Sequence, residues 1–293
     1  MQEKDITQKM LERHNDVFSD IVNVLLFGGK KVVAEESLFD ATTDSILKIE
    51  GRVRFQDRDV AKYWKDSQIN IALFGIENQT NPDKFMPLRV MGYDGLEYTR
   101  QVRKECDGEN KYPVITLVLY LGYDKKWIYP KNLFGALYID EGLKPYVNDY
   151  KINLFEIAYL DREIIDSFKS DFWILADYLY QMRVNRNYVA DKKSIAHIEE
   201  LLMLMSAMTG DKRFEEIIYE ANTKEVVNMC EVLDIVEARG IEKGREEGAD
   251  LISRLNTILA KEGDLDKIIK ANTDKKYRNE LLKKYNLLRD YEK

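Results

Sequence analysis

Three side chains in the N-terminal third of the sequence, Asp59, Glu77 and Gln79, have the types and spacing that metal-assisted hydrolysis requires. Side chains alternate between the two faces of a β-strand, so Glu77 and Gln79 share one face if residues 69–80 form a strand. A turn centred near Ser67 then puts Asp59 opposite a residue close to Glu77, with the cross-strand Cβ atoms roughly 5 to 8 Å apart. Two carboxylates placed in this way can share one divalent cation.

The chemistry of such a site follows from its oxygen ligands. Mg²⁺ and Mn²⁺ prefer oxygen ligands, and Mg²⁺ usually takes one or two carboxylates together with water and substrate phosphate. The cation can polarise a phosphodiester and lower the pKa of a bound water, which Gln79 could orient. A simpler interpretation stays open, in which Glu77 marks the end of a buried strand and Asp59 is an ordinary surface residue.

The segments around these residues have the patterns of strands and helices. Residues 52–80 are predicted to form a β-hairpin, with residues 65–68 as its turn. Residues 6–26 have helical spacing, and Gly28 is expected to end that helix. The remaining elements predicted for this half are a helix over residues 86–105 and buried strands over residues 113–122 and 150–159.

The second half of the sequence changes character. Beyond residue 160 the periodicity is helical without convincing strands, over residues 161–183, 197–209, 214–222, 224–260 and 264–288. We therefore predict an α/β (α+β) fold, with a central mixed sheet flanked by helices in a domain of residues 1–160. Residues 161–293 are predicted to be an α-helical C-terminal region.

Composition limits the classes of partner. The chain carries 45 basic and 52 acidic residues, a formal charge of -7. Strong sequence-independent binding of nucleic acid comes from neutralising phosphates, so this balance argues against binding by the whole surface but permits a local basic groove. The two cysteines, Cys106 and Cys230, form neither a disulfide framework nor a zinc site. Apolar runs are too short to span a bilayer, so we expect a cytoplasmic protein without a membrane partner.

Two consecutive stretches, RDVAKYWKDSQINIALFGIENQT and MPLRVMGYDGLEYTRQV, carry a family resemblance. They resemble the recombination-promoting nuclease / putative transposase family of the PD-(D/E)XK nuclease superfamily. That family has an Asp on one strand, acid-x-Lys or acid-x-Gln on the next strand, and then a helix that bears Arg and Tyr. The matching residues are Asp59, Glu77 and Gln79 on the strands, and Arg89, Tyr93 and Tyr98 on the helix.

The resemblance implies a restriction-endonuclease-like core and cleavage of DNA phosphodiesters with Mg²⁺ (or Mn²⁺), in connection with recombination or mobile elements. It implies that Asp59 and Glu77 bind the metal, helped by the Asn78 carbonyl, while Gln79 positions the nucleophilic water. The family's opening helix matches the segment that contains Asp16 and Asp20, either of which could supply a further acid.

Basic residues near this pattern have two interpretations each. Arg89 is either a phosphate contact or a partner in an ordinary salt bridge. Lys62 and Arg100 are either phosphate contacts or members of a solvated charged face. The chain also departs from the superfamily pattern, because Arg58 stands where a Pro often precedes the Asp, and Gln79 replaces the usual Lys. Glutamine cannot act as a cation, so any charge stabilisation by this residue is reduced to hydrogen bonding.

A second function of a different class stays open. The net charge and Gln79 favour a catalytically degenerate nuclease fold that serves as a DNA-binding or protein-interaction module. In that case the C-terminal helices would supply contacts for a homo-oligomer. The two histidines, His14 and His197, are isolated in the sequence, and no ligand at metal-binding spacing accompanies either, which argues against a role in metal binding.

Overall fold

The computed structural model describes residues 9–41, 44–49, 52–67, 69–102, 111–223 and 228–288, so Cys106 lies outside the described residues. The strands are β1 (Leu38–Asp40), β2 (Asp44–Ile49), β3 (Arg52–Asp57), β4 (Val60–Asp66), β5 (Ile69–Gln79), β6 (Val114–Tyr120) and β7 (Asn153–Glu156). The helices are α1 (Asn15–Phe27), α2 (Met86–Val102), α3 (Leu133–Ala136), α4 (Arg162–Ile165), α5 (Phe172–Asn185), α6 (Ile198–Thr209), α7 (Arg213–Glu216), α8 (Ile218–Thr223), α9 (Met229–Lys261), α10 (Leu265–Thr273) and α11 (Lys275–Lys284).

A five-stranded mixed sheet has the strand order β1-β4-β5-β6-β7. Strand β4 is antiparallel to β1 and β5, whereas β6 is parallel to β5 and β7. A parallel pair needs a crossover connection, which α2 provides between β5 and β6. The predicted α/β class with a central mixed sheet flanked by helices is therefore confirmed.

The predicted hairpin is confirmed over β4 and β5 and is wrong before them. Val60 pairs with Ile76, and the chain reverses at Ser67, whose φ of 55° is left-handed. Strand β3 instead pairs with β2 in a separate two-stranded sheet. The loose alternation over residues 52–64 did not indicate the break between β3 and β4, because a strand pattern does not identify a strand's partner.

The two faces of the central sheet carry different helices. On one face, Lys62 of β4 lies over the Phe18 ring of α1, with its ammonium 5.7 Å from the ring centroid. On the other face, the side chains of β6 pack into a hydrophobic cluster with those of α2, among them Val118, Met86 and Val90. This alternation places neighbouring residues of β4 and β5 against different helices.

The N-terminal helical segment is interrupted where the sequence predicted one continuous helix. Residues 9–12 are helical, but His14 has extended backbone dihedrals and precedes the start of α1. The predicted end of the helix is confirmed, because Gly28 has a φ of 61° and its N–H bonds to the Asn23 carbonyl. A left-handed glycine is a common way to end a helix.

Contacts divide the chain into two compact units, Met1–Met229 and Cys230–Lys293. The first unit contains both sheets. The second is helical, with a core that includes Leu255, Leu259 and Leu281. The proposed domain boundary near residue 160 follows the last strand and stays a prediction. Among the described residues, no helix combines the length and the apolar character needed to cross a membrane.

Candidate functional site

Asp59 lies directly before β4, at the end of the sheet where β5 also ends. Val60 pairs with Ile76, so the next position along both strands brings Asp59 level with Glu77. The Asp59 Oδ2 accepts a hydrogen bond of 2.7 Å from the backbone N–H of Asn78. Its Oδ1 lies 2.7 Å from Lys9 Nζ. The predicted spacing of one or two ladder positions between the two acids therefore agrees with the register.

Glu77 is buried, with 2% of its surface exposed, against the side of α2 that faces the sheet. Its Oε1 accepts a hydrogen bond from the Arg89 guanidinium and lies 3.5 Å from the Tyr93 hydroxyl. Gln79 Nε2 lies 3.4 Å from the same oxygen, as expected for side chains on one face of β5. The other carboxyl oxygen, Oε2, is buried and has no hydrogen-bond partner among the described residues.

The electrostatic environment of Glu77 opposes its ionisation. Burial and the neighbouring charge of Asp59 raise the pKa of Glu77 from 4.5 to about 8, although Arg89 and Lys9 act in the opposite direction. A buried carboxylate beside a second carboxylate is destabilised, because it has lost its hydration and is repelled by the neighbouring charge, and the Arg89 guanidinium offsets only part of this. Additional positive charge between Asp59 and Glu77 would favour the ionised form of Glu77.

The donor set fits a hard divalent cation. Two carboxylates meet at the end of one hairpin, and one buried carboxyl oxygen of Glu77 has no partner among the described residues. Such an ion is commonly held by one or two protein carboxylates and completes its shell with water and substrate oxygens. Asp59 and Glu77 could therefore hold a metal ion.

Glu12 is an acidic residue of this region that the sequence did not single out. It is buried, and its Oε2 accepts a hydrogen bond of 2.7 Å from Asn78 Nδ2. Lys9 lies one helical turn earlier, so the segment of residues 9–12 contacts both Asp59 and Asn78. The sequence carries no signal for this contact, because Glu12 and Asn78 belong to separate segments that meet only in the folded chain.

The two acids that the sequence named on α1 have other partners. Asp16 lies 2.9 Å from His197 Nε2. Asp20 Oδ2 accepts hydrogen bonds from the backbone N–H groups of Lys169 and Ser170 and from the Ser170 hydroxyl. These contacts do not involve Asp59 or Glu77.

The three basic residues that were named as phosphate contacts differ in accessibility. Arg89 bridges Glu77 and Asp83, with 2.9 Å between Nη1 and the Asp83 carboxylate, and its side chain is still 37% exposed. Arg100 is exposed and lies 3.6 Å from Glu97. Lys62 is only 1% exposed, and its ammonium lies 2.6 Å from Asp40. A phosphate outside the protein therefore cannot reach Lys62 in this conformation, which is unfavourable to its predicted role.

A buried network fixes α2 against the sheet and so positions Arg89 and Tyr93. Arg58 Nη2 and the Thr116 hydroxyl each donate to Asp94 Oδ1 over 2.6 Å, and the Tyr150 hydroxyl donates to Oδ2. Gly75 leaves room for Arg58, because a Cβ at Gly75 would lie 2.7 Å from Arg58 Cδ. Arg58 is thus a structural partner of α2.

The two histidines, which are isolated in the sequence, lie together in the folded chain, while the expectation that they do not bind a metal stays a prediction. The His14 and His197 rings stack with 3.7 Å between their centroids. Asp16 offers a carboxylate beside them. Spacing along the sequence can identify metal ligands that lie in one helix or strand. His14 and His197 instead precede two different helices, α1 and α6.

Comparison with known proteins gave one family match. The model of the family described as "Putative transposase, YhgA-like" matches residues 64–210, half of the chain. The matched segment contains Glu77, Gln79 and Arg89 and begins after Asp59. No curated protein and no solved structure matched the chain.

Proposed function

Since this chain belongs to the YhgA-like putative transposase family, we propose that it is a metal-dependent DNA endonuclease linked to recombination or mobile elements. The observation that carries the proposal is the pair of acids at the end of the β4–β5 hairpin. Glu77 there has a buried carboxyl oxygen without a partner among the described residues, next to the charge of Asp59. A permanently buried acid of this kind is costly unless a ligand compensates it.

Asp59, Glu77 and the Asn78 carbonyl would hold Mg²⁺ or Mn²⁺. When bound, such an ion supplies Lewis-acid polarisation of a phosphodiester and lowers the pKa of a coordinated water. The chain's own part is to fix the ligands, and the N–H of Asn78 does so by holding Asp59 in place. Gln79, on the same face as Glu77, would accept or donate a hydrogen bond to orient the attacking water.

Two basic side chains balance the acids in the structure, Lys9 at Asp59 and Arg89 at Glu77. Both have exposed surface, 19% for Lys9 and 37% for Arg89, so each can turn away from its carboxylate without unpacking the core. Arg89 would then face the DNA, where a guanidinium binds phosphate in a bidentate manner. The Lys9 ammonium would then supply a positive charge near the reacting phosphate, in place of the lysine that Gln79 replaces.

The same two ion pairs favour the alternative, a degenerate nuclease fold that binds DNA or protein. If Lys9 and Arg89 are permanent partners, they neutralise Asp59 and Glu77 and leave no charge to attract a metal. Gln79 in place of a cationic residue points in the same direction.

A cleavage assay separates the two functions. Supercoiled plasmid is incubated with the full chain in Mg²⁺, in Mn²⁺ and in a chelator, together with Asp59→Asn and Glu77→Gln. Both substitutions keep the shape of the side chain and remove its charge. We expect metal-dependent nicking by the unmodified protein and a loss of about 100-fold in each variant, the order of magnitude for removing a group that stabilises the transition state.

Asp66→Asn is the matched control. Asp66 is the last residue of β4, the strand that follows Asp59, and it is exposed at the opposite end of the hairpin. It should cleave like the unmodified protein. Cleavage that persists in Asp59→Asn and Glu77→Gln would contradict the proposed site. The absence of nicking by the folded, unmodified protein in either metal would instead support the binding module.

A further inference from the structure

The two histidines of the chain meet at one point of the first compact unit. His14 directly precedes α1, and His197 directly precedes α6. Their rings are stacked, with an angle of 21° between planes. Both side chains are half-buried, so solvent reaches the pair. Nothing in the proposed cleavage of DNA uses either residue.

A carboxylate completes this cluster. Both Asp16 oxygens lie within hydrogen-bond distance of His197 Nε2, at 3.0 and 2.9 Å. One ligand atom from each of His14, Asp16 and His197 can be chosen so that all three lie within 4.8 Å of one another. Three donors at this separation can converge on a single ion after small changes of side-chain torsion.

Further contacts orient the two imidazoles. Glu200 Oε1 lies 3.1 Å from His14 Nε2, which leaves Nδ1 of that ring as the donor to a ligand. Histidines that bind metals commonly use their second nitrogen to contact a carboxylate in this way, and the contact fixes the tautomer. The backbone N–H of His197 is held by the buried Asp171, over 2.6 Å. The position of His197 is therefore fixed independently of any ion.

We propose that His14, Asp16 and His197 form a binding site for one divalent transition-metal ion of the Zn²⁺ or Co²⁺ type. Two imidazoles and one carboxylate are the donors of such ions, whereas Mg²⁺ prefers oxygen ligands alone. Three protein ligands leave a coordination position for water or an external ligand. The site joins the starts of α1 and α6, so the bound ion also stabilises this part of the fold.

The test is a titration of the untagged full chain with Co²⁺, followed by its visible absorption, and a competition for Zn²⁺ against a chromogenic chelator. We expect one equivalent with the visible absorption of imidazole-bound Co²⁺, in addition to any ion at Asp59 and Glu77, and a rise of the thermal midpoint. In His14→Ala and His197→Ala the affinity should fall at least tenfold. Glu200→Gln should also weaken binding by about tenfold, as for other residues that orient a ligand.

Two further variants guard against loss of folding and against binding elsewhere. Asp16→Asn keeps the shape of the side chain and should still lose binding, with an unchanged circular dichroism spectrum. The exposed neighbour Glu199 gives the matched control Glu199→Gln, which should bind as before. Asp59→Asn should likewise retain the one equivalent, which separates this site from the proposed nuclease site.

Two results would overturn the proposal. One is binding of Co²⁺ that is unchanged in Asp16→Asn and in both histidine variants. The other is no spectral change and no competition for Zn²⁺ at metal concentrations up to roughly 1 mM, at which a site with a millimolar Kd would be half filled. In either case the histidines are a stacked pair held by the surrounding carboxylates without an ion.

Discussion

The backbone N–H of Asn78 donates a hydrogen bond of 2.7 Å to Oδ2 of Asp59. This contact ties the residue before β4 to the end of β5, and it holds the Asp59 carboxylate beside Glu77 without using the Glu77 side chain. The main chain of β5 therefore fixes the position of the Asp59 carboxylate. The proposed metal ligands depend on this arrangement, because a freely rotating Asp59 would lose conformational entropy on binding an ion.

The pKa of Glu77 predicts how stability changes with pH in the absence of metal. Because its pKa is about 8 in the folded protein and 4.5 in the reference state, the folded form binds one proton more than the unfolded form between these values. The free energy of unfolding should therefore fall as the pH rises from about 5 to 8, by about 1 kcal/mol per pH unit from this group. Urea unfolding in a chelator measures it.

Glu77→Gln should lack this component, so its stability relative to the unmodified protein should improve steadily with pH. Added Mg²⁺ should stabilise the unmodified protein at pH 8 and leave the variant unchanged, because the ion balances the Glu77 charge. Parallel pH profiles for the two proteins would show that the folded environment does not raise the pKa of Glu77.

Lys9 variants test whether its ammonium replaces the cation that Gln79 cannot provide. Lys9→Gln should lower the rate of plasmid nicking at saturating metal by about tenfold or more, whereas Lys9→Arg should keep most of it. The metal concentration for half-maximal nicking should fall in Lys9→Gln, because Asp59 loses a competing positive charge. A metal titration of the nicking rate measures both effects.

Lys144→Gln is the control for this series, since the half-buried Lys144 lies in the connection between β6 and β7 and its ammonium pairs with the exposed Glu141. An unaltered rate together with an unaltered metal requirement in Lys9→Gln would exclude a role of Lys9 in the site.

The Asp94 network predicts a large effect on stability. Asp94→Asn leaves the buried guanidinium of Arg58 without a counter-charge, and removing one partner of a buried ion pair typically costs about 3 to 5 kcal/mol. Arg100→Ala, on the exposed side of the same helix, should cost about 1 kcal/mol or less. Urea unfolding compares the two, and equal losses would mean that the buried network does not hold α2.

The sequence predicted the parts of the fold that local patterns determine. Alternation identified the β4–β5 hairpin, and the same alternation put Glu77 and Gln79 on one face. Gly28 correctly marked the end of α1. Patterns within one segment suffice for these features, because strand and helix periodicity are properties of consecutive residues.

Contacts between distant segments could not be predicted in this way. The pairing of β3 with β2, the burial of Lys62 against Asp40, and the contact of Glu12 with Asn78 each join separate elements. The meeting of His14 and His197 is the clearest case, since the two residues precede different helices that are far apart in the sequence. Tertiary packing decides such contacts, and a single sequence does not report it.

The central claim is that Asp59 and Glu77 share one divalent ion, and anomalous diffraction from a crystal soaked in Mn²⁺ tests it most directly. We predict an anomalous peak between the two carboxylates, at about 2 Å from an oxygen of each, with Lys9 and Arg89 turned away from them. A soaked crystal in which the Lys9–Asp59 and Arg89–Glu77 pairs persist, with no peak between the acids, would contradict the claim.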